Sequence, residues 1–121
     1  IEIGNPTPAR DLTYVGDTCR AFLAVMGLDF DVYNAGSGYP GYRTIGELAD
    51  MIGQSERKPV MAHVEARMRP MASEVRNLRS DATKLTDKTG WKPQVGLDDG
   101  LRRTIEWWDG RSVRSELAAV A

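Results

Sequence analysis

The sequence predicts a mixed α/β (α+β) domain of short strands, about four helices and long connecting loops. Three observations carry that expectation. A chain of 121 residues with 41% hydrophobic residues is the size of one domain and can bury one core. Helix signals recur in four separate stretches, each bounded by Gly, Pro or a capping residue. The strand-like runs between them are too few for a doubly wound parallel sheet.

In chain order, Pro6 and Pro8 keep residues 1–14 extended, with Asp11 to Val15 strand-like in composition. From Val15 to Leu28 the apolar residues Val15, Cys19, Phe22, Leu23, Val25 and Met26 recur at helical spacing, and Gly27 is a stop signal. Asp31 to Ala35 reads as a short strand that runs into a glycine-rich turn, Gly36 to Gly41. Thr44-Ile-Gly-Glu47 fits a capping box that opens a helix with Ile45, Leu48, Ala49 and Ile52 as its apolar stripe, ending near Gly53. Pro59 to Val64 is a second strand candidate, followed by an Arg-rich, Pro-containing loop from Glu65 to Arg76 and a short strand at Asn77 to Arg79. Asp81 is placed to cap a helix that runs to Lys88 and is ended by Gly90, and Trp91 to Gln94 then turns the chain. The last helix starts near Leu97, with Asp98 and Asp99 at its positive end and Leu101, Thr104, Ile105 and Trp108 along one face. The expected domain is residues 1–110, with residues 111–121 as a frayed tail or a short extra helix.

The net charge of −1 offers no basic excess for a nucleic acid partner. No apolar run approaches the roughly 20 residues of a membrane-spanning helix, and no signal peptide is visible. The chain opens on Ile1, which implies a processed, cloned or truncated start. The single cysteine, Cys19, excludes an internal disulfide and fits a reducing, cytoplasmic compartment; it reads as a small filler on a helix.

Gly36-Ser-Gly38-Tyr-Pro-Gly41 matches G-x-G-x-x-G, lies between a strand and a helix, and is followed by an acidic residue at Glu65. In a dinucleotide site the helix opens inside this motif, so that its N–H groups face the pyrophosphate. Here the capping box starts the helix at Thr44, after the last glycine. A turn needing positive φ is the favoured reading, and no cofactor is expected on this chain alone. His63 has no Cys or His partner and reads as a strand residue, so no metal is expected. Trp91, Trp107 and Trp108 read as packing residues, and Met51, Met61, Met68 and Met71 as gap fillers.

Arg67, Arg69, Arg76 and Arg79 cluster around Pro70 and Glu74, and Arg10 in the Pro-rich segment can join them. Arginine presents a planar fork of donors that matches phosphate oxygens, and a neighbouring carboxylate can accept from sugar hydroxyls. By itself such a cluster is more often a solvated face, because exposed charge is the default.

Six blocks in order carry a resemblance. Arg10-Asp-Leu-Thr-Tyr-Val-Gly-Asp17 is similar to the Arg-Asp-aromatic-x-Tyr/His-Val-x-Asp stretch of extended short-chain dehydrogenase/reductases acting on nucleotide sugars. Tyr33-Asn-Ala-Gly-Ser-Gly38 and Thr44-Ile-Gly-Glu-Leu-Ala49 resemble their next two blocks. Arg69-Pro70, Ser73-Glu-Val75 and Asp81-Ala-Thr-Lys84 resemble an Arg-Pro…Ser-Glu-Val…Asp-x-Ser-Lys series. Gly90-Trp-Lys-Pro93 and Gly100 to Trp107 match the closing segment. The resemblance implies the small C-terminal, substrate-binding domain of an NAD(P)-dependent nucleotide-sugar epimerase or 4,6-dehydratase, with no complete Rossmann sheet. It leans slightly towards dehydratases.

In that family the N-terminal half holds NAD(P) and a Ser/Thr–Tyr–Lys catalytic set, and the C-terminal part binds the nucleotide-diphosphate sugar. The resemblance implies that Arg10 and Arg69 contact the phosphate or ribose side, that Glu74 bonds ribose hydroxyls, and that Asn5 lies near the base. The Gly-rich cofactor loop and a Tyr-x-x-x-Lys pair are missing here, Leu12 stands where an aromatic is usual, Gly16 replaces a common acidic residue, and the loop from Gly38 to Thr44 is slightly long. No catalytic residue is therefore assigned, and catalysis by this chain alone is not expected. A truncated, non-enzymatic binding or assembly module is the competing reading. One face would normally rest against the Rossmann domain; where that partner is absent an apolar patch is exposed, which predicts self-association, as a homodimer or a swapped dimer.

Overall fold

A computed structural model describes residues 2–38, 42–54 and 62–120, without the side chains of Met71 and of residues 112–120. Its elements are strands β1 (Glu2–Ile3), β2 (Ala9–Asp11), β3 (Tyr42–Thr44), β4 (Ala62–His63) and β5 (Asn77–Leu78), and helices α1 (Val15–Val25), α2 (Ile45–Gly53), α3 (Thr83–Thr89) and α4 (Leu97–Val120). Single 3-10 turns at Glu65–Arg67 and Met71–Ser73 bend the Arg-rich loop. The mixed α/β class with four helices and short strands is as the sequence predicts.

The strands form two small sheets. β1 and β4 pair in parallel, and β2 lies between antiparallel β3 and parallel β5. Prolines explain their brevity: Pro6 and Pro8 carry no N–H, and their carbonyls accept from Gly46 and Ile45 instead, at 2.8 and 3.0 Å. The strand expected at Asp11 to Val15 sits earlier, at Ala9–Asp11, because α1 already begins at Val15. The strand expected at Asp31 to Ala35 is not formed. Those residues pair with no strand among the described residues; Tyr33 and Ala35 instead pack against the core. Of the candidate at Pro59 to Val64, Ala62–His63 is a strand, and residues 59–61 lie outside the described residues.

The capping box of α2 is present in full: Thr44 Oγ1 accepts the Glu47 N–H at 3.1 Å, and Glu47 accepts the Thr44 N–H at 2.7 Å. Asp81 does not cap α3. Ala82 occupies that position, and the Asp81 carboxylate accepts the Thr83 N–H at 2.9 Å in a turn before the helix. Gly90, at φ 72°, ends α3 in the left-handed region. The expected tail is helical, since α4 continues to Val120.

The core is small. Ala21, Leu85 and Trp91 pack together where α1 meets α3, with Ala24, Val25, Tyr33, Ala35 and Ala82 around them. Cys19 is exposed, as are Val15, Phe22, Leu23 and Met26, so the apolar stripe expected on α1 is covered only in part and Cys19 is not a buried filler. The chain exposes 9015 Å², where a compact monomer of this mass exposes about 6500 Å².

Candidate functional site

β2 sets the site. Its central residue, Arg10, is flanked by both neighbouring strands, level with Arg43 of β3 and Leu78 of β5. The guanidinium lies 3.7 Å from the Glu74 carboxylate and donates to the Ala9 carbonyl at 2.9 Å. Both side chains are largely covered, at 24% and 12% exposure. Glu74 is delivered by the Arg-rich loop just past its second 3-10 turn, and the loop is held against β2 by the Ala9 N–H, which donates to the Arg76 carbonyl at 2.8 Å. Two of the sequence-predicted site residues are thus brought together across 64 positions of chain.

Arg69 and Asn5 are placed differently. Arg69 is exposed between the two 3-10 turns and makes no hydrogen bond or ion pair among the described residues. Asn5 is half-buried, and its side-chain oxygen accepts the Thr7 N–H at 3.0 Å and the Thr7 hydroxyl at 2.8 Å, which leaves its amide N–H₂ for another partner. The arginine cluster is divided. Arg67 forks onto Glu2, at 3.0 Å from Nε and 2.8 Å from Nη2, while Arg76 and Arg79 are exposed.

Two aspartates do what the sequence did not signal. Asp11 follows Arg10 and accepts from the Ser37 N–H at 3.0 Å, from the Ser37 hydroxyl, and from the Ser80 N–H at 3.2 Å. It therefore ties the glycine loop and the start of the α3 turn to the strand that carries Arg10. Gly36 makes that junction possible, since a Cβ there would come within 2.5 Å of Ser80 Cβ and 2.7 Å of Asp11 Oδ2. Asp17 is fully enclosed and accepts from the backbone of Gln94 and Val95. Both lie inside the Arg10 to Asp17 block, so the motif was legible while the job of its acids was not.

Of the glycine-rich turn expected at Gly36 to Gly41, residues 39–41 lie outside the described residues. Gly38 has φ 65°, as a turn requires, and β3 intervenes before α2 begins at Ile45. The first N–H groups of α2 are bonded to Pro8, Pro6 and Thr44. Among the described residues no three of His, Cys, Asp and Glu gather as metal ligands, and His63 is exposed on β4.

Elsewhere, a groove of about 570 Å³ opens between α1, α2 and α4, lined among others by Leu12, Tyr14, Leu48, Leu97, Trp107 and Trp108. Trp91 is buried and donates from Nε1 to the Asp17 carbonyl at 3.1 Å, as a packing residue should. Trp107 and Trp108 are 54% and 61% exposed, contrary to the packing role expected for them. They meet edge to face at 5.1 Å, and Arg111 lies over the Trp107 ring at 4.7 Å.

The family described as GDP-mannose 4,6 dehydratase matches residues 1–104. The GDP-6-deoxy-D-mannose reductase of Pseudomonas aeruginosa is 35% identical over 119 residues, which cover 96% of this chain and 38% of the relative. Among solved structures, RMD from Pseudomonas aeruginosa complexed with NADPH superposes with a TM-score of 0.76 at 28% identity, over 92% of this chain and 36% of that one. MoeE5 in complex with UDP-glucuronic acid and NAD gives the same TM-score and identity, over 92% and 37%. The chain thus spans little more than a third of the length of these relatives. It belongs to the GDP-mannose 4,6 dehydratase family, within the NAD-dependent epimerase/dehydratases of the extended short-chain dehydrogenase/reductase type, and corresponds to their C-terminal part.

Proposed function

We propose that this chain is the nucleotide-sugar-binding part of an NAD(P)-dependent epimerase or dehydratase and does no chemistry by itself. The observation that carries the reading is the Arg10–Glu74 pair at the centre of the β3-β2-β5 sheet. A guanidinium held at 3.7 Å from a carboxylate is attracted but not saturated, and its remaining N–H groups can take a phosphate oxygen. Glu74 is the acceptor for ribose hydroxyls on the same side. Arg69, exposed and uncommitted among the described residues, closes on the diphosphate, and the amide of Asn5 faces the base.

In such an enzyme the binding of the nucleotide orients a remote sugar; energy from the non-reacting part is used to position the reacting one. The cofactor and the proton-transfer residues belong to the rest of the protein, for which the exposed apolar residues of α1 and the loop behind it, Phe22, Leu23, Met26 and Phe30, form a docking face. No helix among the described residues is long and apolar enough to cross a membrane.

The test is an NMR titration of labelled chain with UDP, GDP, dTDP and NAD in parallel. Saturable shifts at Arg10, Arg69 and Glu74 with one nucleoside diphosphate are expected and identify the base. Shifts with NAD alone, or with none of the four, would overturn the assignment of a binding site to this chain.

A further inference from the structure

Residues 31–38 run without a turn or a bend, and Asp31 to Ala35 has strand composition but no ladder among the described residues. Burial along the segment alternates with period two. Tyr33 and Ala35 pack against the core, while Val32 and Asn34 are exposed. That alternation marks a strand with one packed face. Lys84 of α3 holds the segment in place. Its ammonium pairs with the Asp31 carboxylate at 2.6 Å, donates to the Val32 carbonyl at 3.1 Å and lies 5.1 Å from the centre of the Tyr33 ring.

The backbone groups of successive strand residues point to opposite edges. The Val32 carbonyl meets Lys84, so the edge it shares with Asn34 faces α3. The other edge carries the backbone N–H and C=O groups of Asp31, Tyr33 and Ala35, and none of these is hydrogen-bonded among the described residues. Proteins protect such an edge with a lysine, a proline or a bulge. Here Lys84 is spent on Asp31, and no proline lies between Leu28 and Gly38.

We propose that this edge pairs with the same edge of a second copy of the chain, antiparallel about a two-fold axis at Tyr33. In that register Tyr33 exchanges both backbone bonds with its counterpart, and Asp31 exchanges them with Ala35. The pairing sets no like charges against each other. Asp31 meets Ala35 and is neutralised by Lys84 of its own chain, and exposed Val32 meets exposed Asn34. The resulting ribbon is backed by α1 and α3 through Tyr33 and Ala35, the support that an isolated strand pair lacks. The surface allows it: 9015 Å² is exposed against about 6500 Å² for a compact monomer, and the difference exceeds the roughly 800 Å² that each partner of a stable interface buries. The pairing concerns the chain by itself and rests on no part of the nucleotide-binding reading.

Sedimentation velocity and amide hydrogen exchange of the full chain across a dilution series test this, with Val32→Lys/Asn34→Lys as the variant. Both replaced side chains are exposed, so the unfolding midpoint of the dilute variant is expected to hold. Lysines set opposite each other across the pair are expected to weaken the dimer about tenfold or more. In the unaltered chain the Tyr33 and Ala35 amides are expected to lose exchange as the dimer fills, while the Asn34 amide does not. A monomer at every concentration overturns the pairing and leaves the edge to a strand of another polypeptide. A dimer whose Tyr33 and Ala35 amides exchange as fast as in the monomer forms through another surface and overturns it equally. Should the variant not fold, the alternation of protection in the unaltered chain decides alone.

Discussion

The carboxylate of Asp17 accepts the backbone N–H of Gln94 at 2.9 Å, joining α1 to the turn before α4 across 77 positions of sequence. It also accepts the Val95 N–H at 3.0 Å and pairs with Arg20, while its own carbonyl receives the Trp91 indole. No part of Asp17 is exposed. Asp17→Ala would strand two backbone donors and a guanidinium, and is expected to cost roughly 2–4 kcal/mol in chemical denaturation. Asp17→Asn should fall between, because an amide brings one oxygen to two donors.

Gly36 and Gly38 sit two residues apart and should respond differently. At Gly36 a methyl group would overlap Ser80 and Asp11, so Gly36→Ala is expected to cost about 1–3 kcal/mol and to loosen the Asp11 junction. At Gly38 nothing lies within 4 Å of an added Cβ, and only the φ of 65° resists it. Gly38→Ala should cost about 1 kcal/mol or less. Equal losses in thermal unfolding would contradict the close approach at Gly36.

The capping box predicts a pH dependence. The Thr44 N–H and hydroxyl hold Glu47 below the ordinary glutamate value, with Arg43 contributing less. A depressed carboxyl contributes stability above its unfolded pKa, and the contribution is lost as pH falls through the folded pKa. The chain should therefore lose this cap on the acid side of about pH 4.3. In Glu47→Gln, which still accepts a hydrogen bond, that part of the acid limb should be absent from a plot of unfolding midpoint against pH.

Arg69 tests binding without testing the fold. It makes no hydrogen bond or ion pair among the described residues, so Arg69→Ala should leave the unfolding midpoint in place. On the proposed function it weakens nucleotide binding by about 1.5–3 kcal/mol, the scale of a charge-assisted bond. An unaltered affinity by calorimetry, alongside a binding wild type, removes Arg69 from the site.

Phe22 and Leu23 test the docking face. They are 67% and 66% exposed on α1. The chain by itself is expected to self-associate at high concentration in light scattering, and Phe22→Glu with Leu23→Lys should reduce it. A clean monomer at high concentration counts against an uncovered docking face.

The helices were the most legible elements. The Thr44/Glu47 box, the stop at Gly90 and the start at Leu97 are local, because capping depends on residues within one turn. Strands were less so. Asp31 to Ala35 has strand composition yet finds no ladder among the described residues, since a strand needs a partner that composition does not name. In the candidate site, the guanidinium–carboxylate chemistry of Arg10 and Glu74 could be named from the motifs. The commitment of Arg67 to Glu2, the register of Arg43 and the work of Asp11 could not, because each depends on residues far apart in the chain.

The sequence by itself determined the family blocks, the capping box of α2, the stop at Gly90 and the residue types available to hold an anion, all of which follow from short-range spacing. Only the tertiary structure decided which of those residues meet. Glu74 reaches Arg10, Arg43 falls opposite it, and Asp17 rather than an apolar side chain closes the core beside Trp91. The physical reason is that charge and hydrogen-bond partners are assigned by sheet register and loop closure, which bring together residues that sequence spacing does not relate.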